Sequence, residues 1–412
     1  MKSTSRRTVI TRPLPAIALL AAGLLLAGCS AAGTAGTPAA AGPAVGGAPV
    51  KVGLIYSRTG LLGPYGAQFE AGFKAGLGYA THGTGKAAGH PVEVTEEDDT
   101  GDPATAVADA KDLIGKGTRI LAGTVDSGIA LQLAPLAAQN QVLYISGAAA
   151  ADRITGANRF TFRSGRQSYQ DVRTAAAMLG DAHGRKVTVL AQNSAFGQAN
   201  VAAVKAVLGA QGATVGSVLA PPTATDLTPF AQQVRSGKPD LVFVAWAGAT
   251  APALWTALNQ QGVLDSTKVV TGLAGTASYG VFGSAAGKLS FLAHYFPGAG
   301  GGNPVETAMI DGITKAGSAA DLFSPDGFTA AQMIVHAIES GSATDTSAMI
   351  TALEGWTFQG VKGQEQIRAQ DHALLQPMFE ARLSGTGAAA EPQLITTLPM
   401  GAVAPPATAM AG

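Results

Sequence analysis

Beyond Cys29 the sequence contains no cysteine, so no disulfide can brace the folded body and neither a thiol nucleophile nor a cysteine-ligated zinc site is available to it. Charge of either sign is equally scarce in excess: 27 basic residues balance 27 acidic ones. With no basic stripe, nucleic acid is excluded as a partner. Aromatic residues make up 6% of the chain, and after the first thirty or so residues no apolar run is long enough to span a bilayer. The six histidines are scattered without metal-ligand spacing, and no Gly-x-Ser-x-Gly elbow occurs. Gly83-Thr84-Gly85-Lys86 lacks the first glycine of a phosphate loop and has Ala87 where Ser or Thr belongs, so it reads as a surface turn. These absences leave no catalytic constellation, no metal and no cofactor.

What is present begins with an address. Lys2, Arg6, Arg7 and Arg12 precede an apolar stretch that closes on Leu26-Ala27-Gly28-Cys29. That pattern predicts a lipoprotein signal peptide over residues 1–28, removed to leave an acylated Cys29 at the mature N-terminus. Ser5-Arg6-Arg7-Thr8-Val9-Ile10 also matches a twin-arginine export signal, so the route stays open between the two systems. Residues 29–49 are Ala, Gly, Pro, Ser and Thr without periodicity and read as a flexible tether. The protein is therefore expected outside the cytoplasm, on the outer face of the cell membrane, held there by lipid alone.

The body alternates short apolar runs with amphipathic stretches, which predicts strands and helices of an α/β fold with parallel sheets. Val52 to Ile55, Val92 with Val94, Ile120 to Ala122 and Val142 to Ile145 are the first strands. Phe69, Phe73 and Leu77 mark one helix face, and Asp102-Pro103 caps another helix. A second series follows at Val187 to Leu190, Val215 to Leu219, Leu241 to Val244 and Lys268 to Val270. Two such sheets, each feeding polar loops, place a ligand cleft between them. The acidic run Glu96 to Asp99 reads as a solvated turn, and Gly298 to Gly302 as a hinge or loop.

Several motifs, in order, resemble the type I periplasmic binding proteins of the branched-chain amino acid ABC transporter class, in their lipid-anchored form. They include Val52 to Gly60 followed by Tyr65-Gly66, Asp98 to Pro103, Ala122 to Gly128, Phe162-Arg163-Ser164, Ala195 to Gln198, Asp226 to Phe230, Asp326 to Ala331 and Asp371 through Met378. The resemblance implies two Rossmann-like lobes with parallel central sheets joined by three crossover segments. Lobe 1 would hold residues 50–163 and 297–357, lobe 2 residues 164–296 and 358–398, and residues 399–412 would form a disordered tail. It also implies a monomer that captures a small solute such as an amino acid, organic acid or amide-like compound. The solute would pass to an ABC permease driven by its ATPase. A sensor of the same fold reporting to a membrane partner is the alternative, and a secreted hydrolase a more remote one.

Carried over position by position, the resemblance assigns the ligand's carboxylate to Ser127 and the backbone amides of Ala148, Ala149 and Ala150. Ser127 has a second reading as a helix N-cap. Tyr65 and Phe196 stand where family members place aromatics over the ligand. The family's carboxylate for an ammonium is absent: the loop reads Thr271-Gly272-Leu273-Ala274-Gly275-Thr276. Asp126 or Asp326 could substitute, although a loop hydrogen bond and an N-cap are their structural readings. Arg58 and Arg166 stand on loops expected at the cleft, and Trp246 follows its strand. Arginine with aromatics suits an organic acid better than leucine or valine.

Overall fold

The computed structural model describes residues 47–385 and 389–411. The signal peptide, Cys29 and most of the expected tether lie outside the described residues. Among the described residues, no helix is long and apolar enough to cross a membrane.

The first sheet has six strands in the order β2-β3-β1-β4-β5-β6. These are β1 (Val50–Tyr56), β2 (Lys86–Ala87), β3 (His90–Asp98), β4 (Ile120–Gly123), β5 (Leu143–Ser146) and β6 (Thr161–Arg163). All neighbours run parallel except β2 against β3. A central parallel strand is covered on both faces, which is why Val52, Leu54 and Ile55 form a continuous apolar run and are all buried. The second sheet has seven strands in the order β16-β15-β11-β10-β9-β7-β8. Its parallel part is β7 (Lys186–Gln192), β8 (Thr214–Ala220), β9 (Leu241–Ala245), β10 (Lys268–Gly272) and β11 (Leu289–Ala293). A small three-stranded sheet contains β12 (Thr357–Gly360), β13 (Gly363–Ile367) and β14 (Leu374–Leu375). The chain then adds β15 (Met378–Ser384) and β16 (Glu391–Leu398), antiparallel, at the edge of the second sheet.

Strand order reverses on either side of β1 in the first sheet and of β7 in the second. Loops leaving the carboxyl ends of neighbouring strands diverge at such switch points and open a crevice there. Both crevices face the same space. The first helices after each switch, α1 (Gly63–Ala80), α2 (Pro103–Gly115), α3 (Ser127–Asn140), α4 (Ser168–Leu179) and α5 (Ala195–Val207), carry the loops that line it. Asp102 caps α2 by accepting from Thr105 N at 3.0 Å, with Pro103 at the first turn. Helix Ser324–His336 returns to the first lobe against α1, and small residues set that approach. A Cβ on Gly72 would lie 1.9 Å from Ser324 O, and one on Gly327 would lie 1.9 Å from Phe69 O.

Three expectations fail against this architecture. Ile367 and Leu374 belong to the same buried cluster as Leu54 and Phe162, so the chain returns to the second sheet at Met378 rather than at 358. The tail beyond Leu398 is docked: Arg368 Nη1 donates to Pro405 O at 2.7 Å, Thr408 N donates to Asp371 Oδ2 at 2.9 Å, and Ala411 N donates to Gly156 O at 2.9 Å. Backbone polar groups satisfied in this way hold a segment that has little apolar surface of its own. The acidic run is no solvated turn either. Asp99 is fully buried, accepts from Ser57 Oγ at 2.6 Å and Gly101 N at 2.9 Å, and also receives Thr124 Oγ1. It ties together the loops after β1, β3 and β4.

Candidate functional site

The space between the sheets contains two adjoining chambers of about 340 and 430 Å³, which share Tyr65, Arg166, Phe196 and Phe323 among their walls. Ser127, Ala148, Ala150 and Phe196 line one chamber, and Trp246 joins Tyr65 and Phe196 in the other. The strand ends supply nearly all of them. Tyr65 rises from the first turn of α1, its ring 4.7 Å from Phe323, and its hydroxyl accepts from Gly248 N at 3.4 Å. Tyr65 and Gly248 belong to different sheets, so the two lobes meet at this point. Trp246 follows β9 and is held by its indole donating to Thr250 Oγ1 at 2.9 Å.

Two of the three amides expected to be free in the loop after β5, those of Ala149 and Ala150, are already engaged. Ala149 N donates to Thr124 O at 3.2 Å, while Ala150 N and Ala151 N both donate to Ser127 Oγ, at 3.1 and 3.2 Å. Arg163 holds the same loop from below through the carbonyls of Ala149 and Ala151. Ala149 itself is buried and outside the lining. Ser127 is therefore neither the cap nor a free acceptor. Asp126 caps α3, accepting from Gly128 N at 2.6 Å and Ile129 N at 3.0 Å.

Besides Ala149, two expected site residues fall outside the cavity. Arg58 projects to solvent, pairs with Glu96 at 3.8 Å and donates to Tyr56 Oη at 3.3 Å. Local carboxylates at the end of β3 capture it before it can turn inward. Asp326 is wholly buried beneath the crossovers, 3.7 Å from Lys362 Nζ. Desolvation raises its pKa to about 6 against the opposing field of Lys362 and Arg166, and raises neighbouring Glu365 from the ordinary 4.5 to about 7. The sign follows directly. Folded protein then holds a proton that unfolded chain releases at lower pH, so this contribution is present below the unfolded pKa and lost as pH rises through about 7. The melting temperature of Glu365→Gln relative to wild type should therefore climb between about pH 5 and pH 8. Parallel pH profiles for the two proteins would contradict this.

Of the two arginines expected on cleft loops, Arg166 is the one that arrives. It lies 7% exposed at the crossover after β6, lines both chambers, and donates from Nη1 to Ala148 O at 2.9 Å. Its Nε faces Asp171 at 3.4 Å, and its Cζ stands 5.6 Å from the Phe323 ring centre. Asp171 and Asp126 are the only acidic residues among the lining residues of the two chambers. The first is set against Arg166 and the second is committed to a helix cap. Phe323 and His294 were not foreseen; both come from chain segments returning between the sheets, where no periodic signal marks them.

Gly248 has a φ of +83°, and a Cβ there would lie 2.9 Å from Leu61 O on the opposite lobe. Gly248→Val should therefore prop the lobes apart, weakening ligand binding about tenfold or more while moving the ligand-free melting temperature only a few degrees. Unchanged affinity in a titration would contradict this contact.

Comparison with known proteins agrees with this architecture. A family profile described as periplasmic binding protein matches residues 49–388. The Leu/Ile/Val-binding protein BraC3 of Rhizobium johnstonii is 26% identical over 311 residues, covering 74% of this chain and 84% of that protein. A crystal structure of an ABC-type branched-chain amino acid transporter protein from Rhodopseudomonas palustris is 32% identical, with a TM-score of 0.72, covering 87% of this chain and 99% of that one. A solute-binding protein of an ABC transporter from another Rhodopseudomonas palustris strain, solved with p-hydroxybenzoic acid, superimposes with a TM-score of 0.78 at 23% identity, covering 85% of this chain and 97% of its own. Two lobes closing on a cavity built from strand ends, together with these matches, place the chain in the periplasmic binding protein family, as a solute-binding protein of the ABC transporter type.

Proposed function

We propose that the protein is the extracytoplasmic receptor of an ABC importer, tethered through Cys29, and that its solute is a small apolar carboxylic acid, best of all an aromatic one. The observation that carries this reading is the pairing of Arg166 with a wall made of Phe243, Trp246, Trp255, Phe282 and Phe323. A guanidinium offers a fork of donors to a carboxylate, and aromatic faces cover the flat remainder of the molecule. An amino acid would bring an ammonium as well. Desolvating it without a free carboxylate costs several kcal/mol; of the two lining acids, Asp126 is bound to its helix cap, and Asp171 is set against Arg166 through Oδ2 while its Oδ1 has no partner among the described residues. Relatives named for leucine, isoleucine and valine favour an amino acid, whereas relatives solved with hydroxylated benzoic acids favour an aromatic one. The chemistry of the cavity wall weighs on the side of the aromatic acid.

Tyr65, Phe196 and Trp246 would cover the ligand, and Ser127 would turn its hydroxyl proton toward it. Capture in a monomer, closure of the lobes and release to a permease with its ATPase complete the proposal. Two of the three tryptophans, Trp246 and Trp255, line the cavity. Saturable change of intrinsic fluorescence with benzoate, but not with benzamide or leucine, is the expected result. A saturable response to leucine with none to any benzoic acid would overturn the proposal.

A further inference from the structure

The imidazole of His294 has no part in the site as described so far. It follows β11 where the chain leaves the second sheet, is 4% exposed, lines the same chamber as Arg166, and lies 4.9 Å from Phe323 between ring centres. Among the described residues its Nε2 has no hydrogen-bond partner. The backbone of Leu322 lies close enough to the ring to favour a proton on it. Burial, reinforced by the cations Arg166 and Lys362, drives the pKa well down and keeps the ring neutral. Placed on Nδ1, the single proton of the neutral ring leaves a bare lone pair at Nε2.

That lone pair needs a donor, and three donors lining the same chamber are turned elsewhere. Trp246 Nε1 is bound to Thr250, Thr271 Oγ1 donates to Val244 O, and Asn200 Nδ2 donates to Phe196 O. A carboxylate seated on Arg166 cannot supply it either, since an ionised carboxylate only accepts. We infer that His294 Nε2 is a specificity-determining acceptor, which selects, among apolar carboxylic acids, those carrying a hydrogen-bond donor of their own such as a hydroxyl. This rests on the carboxylate reading of the cavity and adds a second polar contact to it. A buried acceptor left without a partner penalises the analogue lacking the donor far more than an apolar pocket penalises a missing methylene.

The test is calorimetric titration of wild type, His294→Phe and His294→Gln with benzoate, the three monohydroxybenzoates and their methoxy counterparts. In wild type at least one hydroxybenzoate should bind about tenfold or more tightly than both benzoate and its methoxy partner. His294→Phe should bring that ratio toward one, and His294→Gln, whose carbonyl can accept, should restore part of it. Equal binding of hydroxy and methoxy acids by wild type overturns the inference, as does a ratio that survives in His294→Phe. The wild-type comparison stands even where a variant fails to fold. Benzoate binding with a flat ratio removes this inference alone, whereas failure of every acid to bind removes the carboxylate reading with it.

Discussion

Arg166→Met is expected to weaken binding of an aromatic carboxylate on the order of a hundredfold or more, the largest effect of any single change in the cavity. The residue is 7% exposed, lines both chambers, and carries the cationic group that the lining offers to a carboxylate. The same substitution strips Asp171 of its partner at 3.4 Å, and a buried carboxylate left alone destabilises a fold by about 3–5 kcal/mol. Burial already pushes the Asp171 pKa up, with Arg166 opposing. The two consequences separate in a second variant. Arg166→Met combined with Asp171→Asn should recover much of the lost thermal stability and none of the lost affinity. Recovery of affinity along with stability would mean that Arg166 acts on the fold alone. Arg166→Lys should remain well below wild type in affinity, since an ammonium cannot reproduce a planar fork.

The second large effect concerns the fold itself. Gly327→Ala would drive a methyl to 1.9 Å from Phe69 O and 2.7 Å from Phe73 N, where neither atom can yield without moving the backbone of α1. Forcing volume into so close a packing costs about 1–3 kcal/mol and more where backbones must part. A drop in melting temperature of about 2–6 °C is expected from thermal unfolding. A Cβ on Gly78 of the same α1 would meet nothing within 4 Å, so Gly78→Ala should hold or raise stability through helix propensity. Equal effects at the two positions would show that the close approach of α1 and helix Ser324–His336 does not govern this packing.

Which features were legible follows from where their causes lie. Strands such as Val52 to Ile55 and the Phe69, Phe73 helix face announce themselves because a covered parallel strand and a one-sided helix each impose a local period. Asp102 before Pro103 is local too, and the cap forms as read. Trp246 stands directly after β9, and Tyr65 and Phe196 stand in the first turns of the helices that follow β1 and β7, so a strand's carboxyl end leads each of them to the cavity. Arg58 and Asp326 were misplaced for one reason: a nearer opposite charge, Glu96 for the first and Lys362 for the second, takes the side chain elsewhere. Those partners are distant in sequence. The amides of Ala149 and Ala150 were misjudged because their acceptors, Thr124 O and Ser127 Oγ, come from another loop. Arg166, His294 and Phe323 gather around one point from three separated segments. Arg166 was expected at the cleft; only the tertiary path of the crossovers brings His294 and Phe323 to it, and nothing local encodes that.

The tail shows the same limit from the other side. Its Ala, Pro and Gly composition argues for disorder, yet Arg368, Asp371 and Gly156 present polar groups that bind its backbone. Composition describes what a segment can bury and is silent about which groups elsewhere await it.

The central claim is that the cavity holds a carboxylate against Arg166 and has no place for a charged amine. Isothermal titration of ligand-stripped protein with benzoate and with leucine, side by side in one buffer, tests it most directly. The account predicts a saturable heat with benzoate and none with leucine. Tight binding of leucine, with benzoate inert, would contradict it.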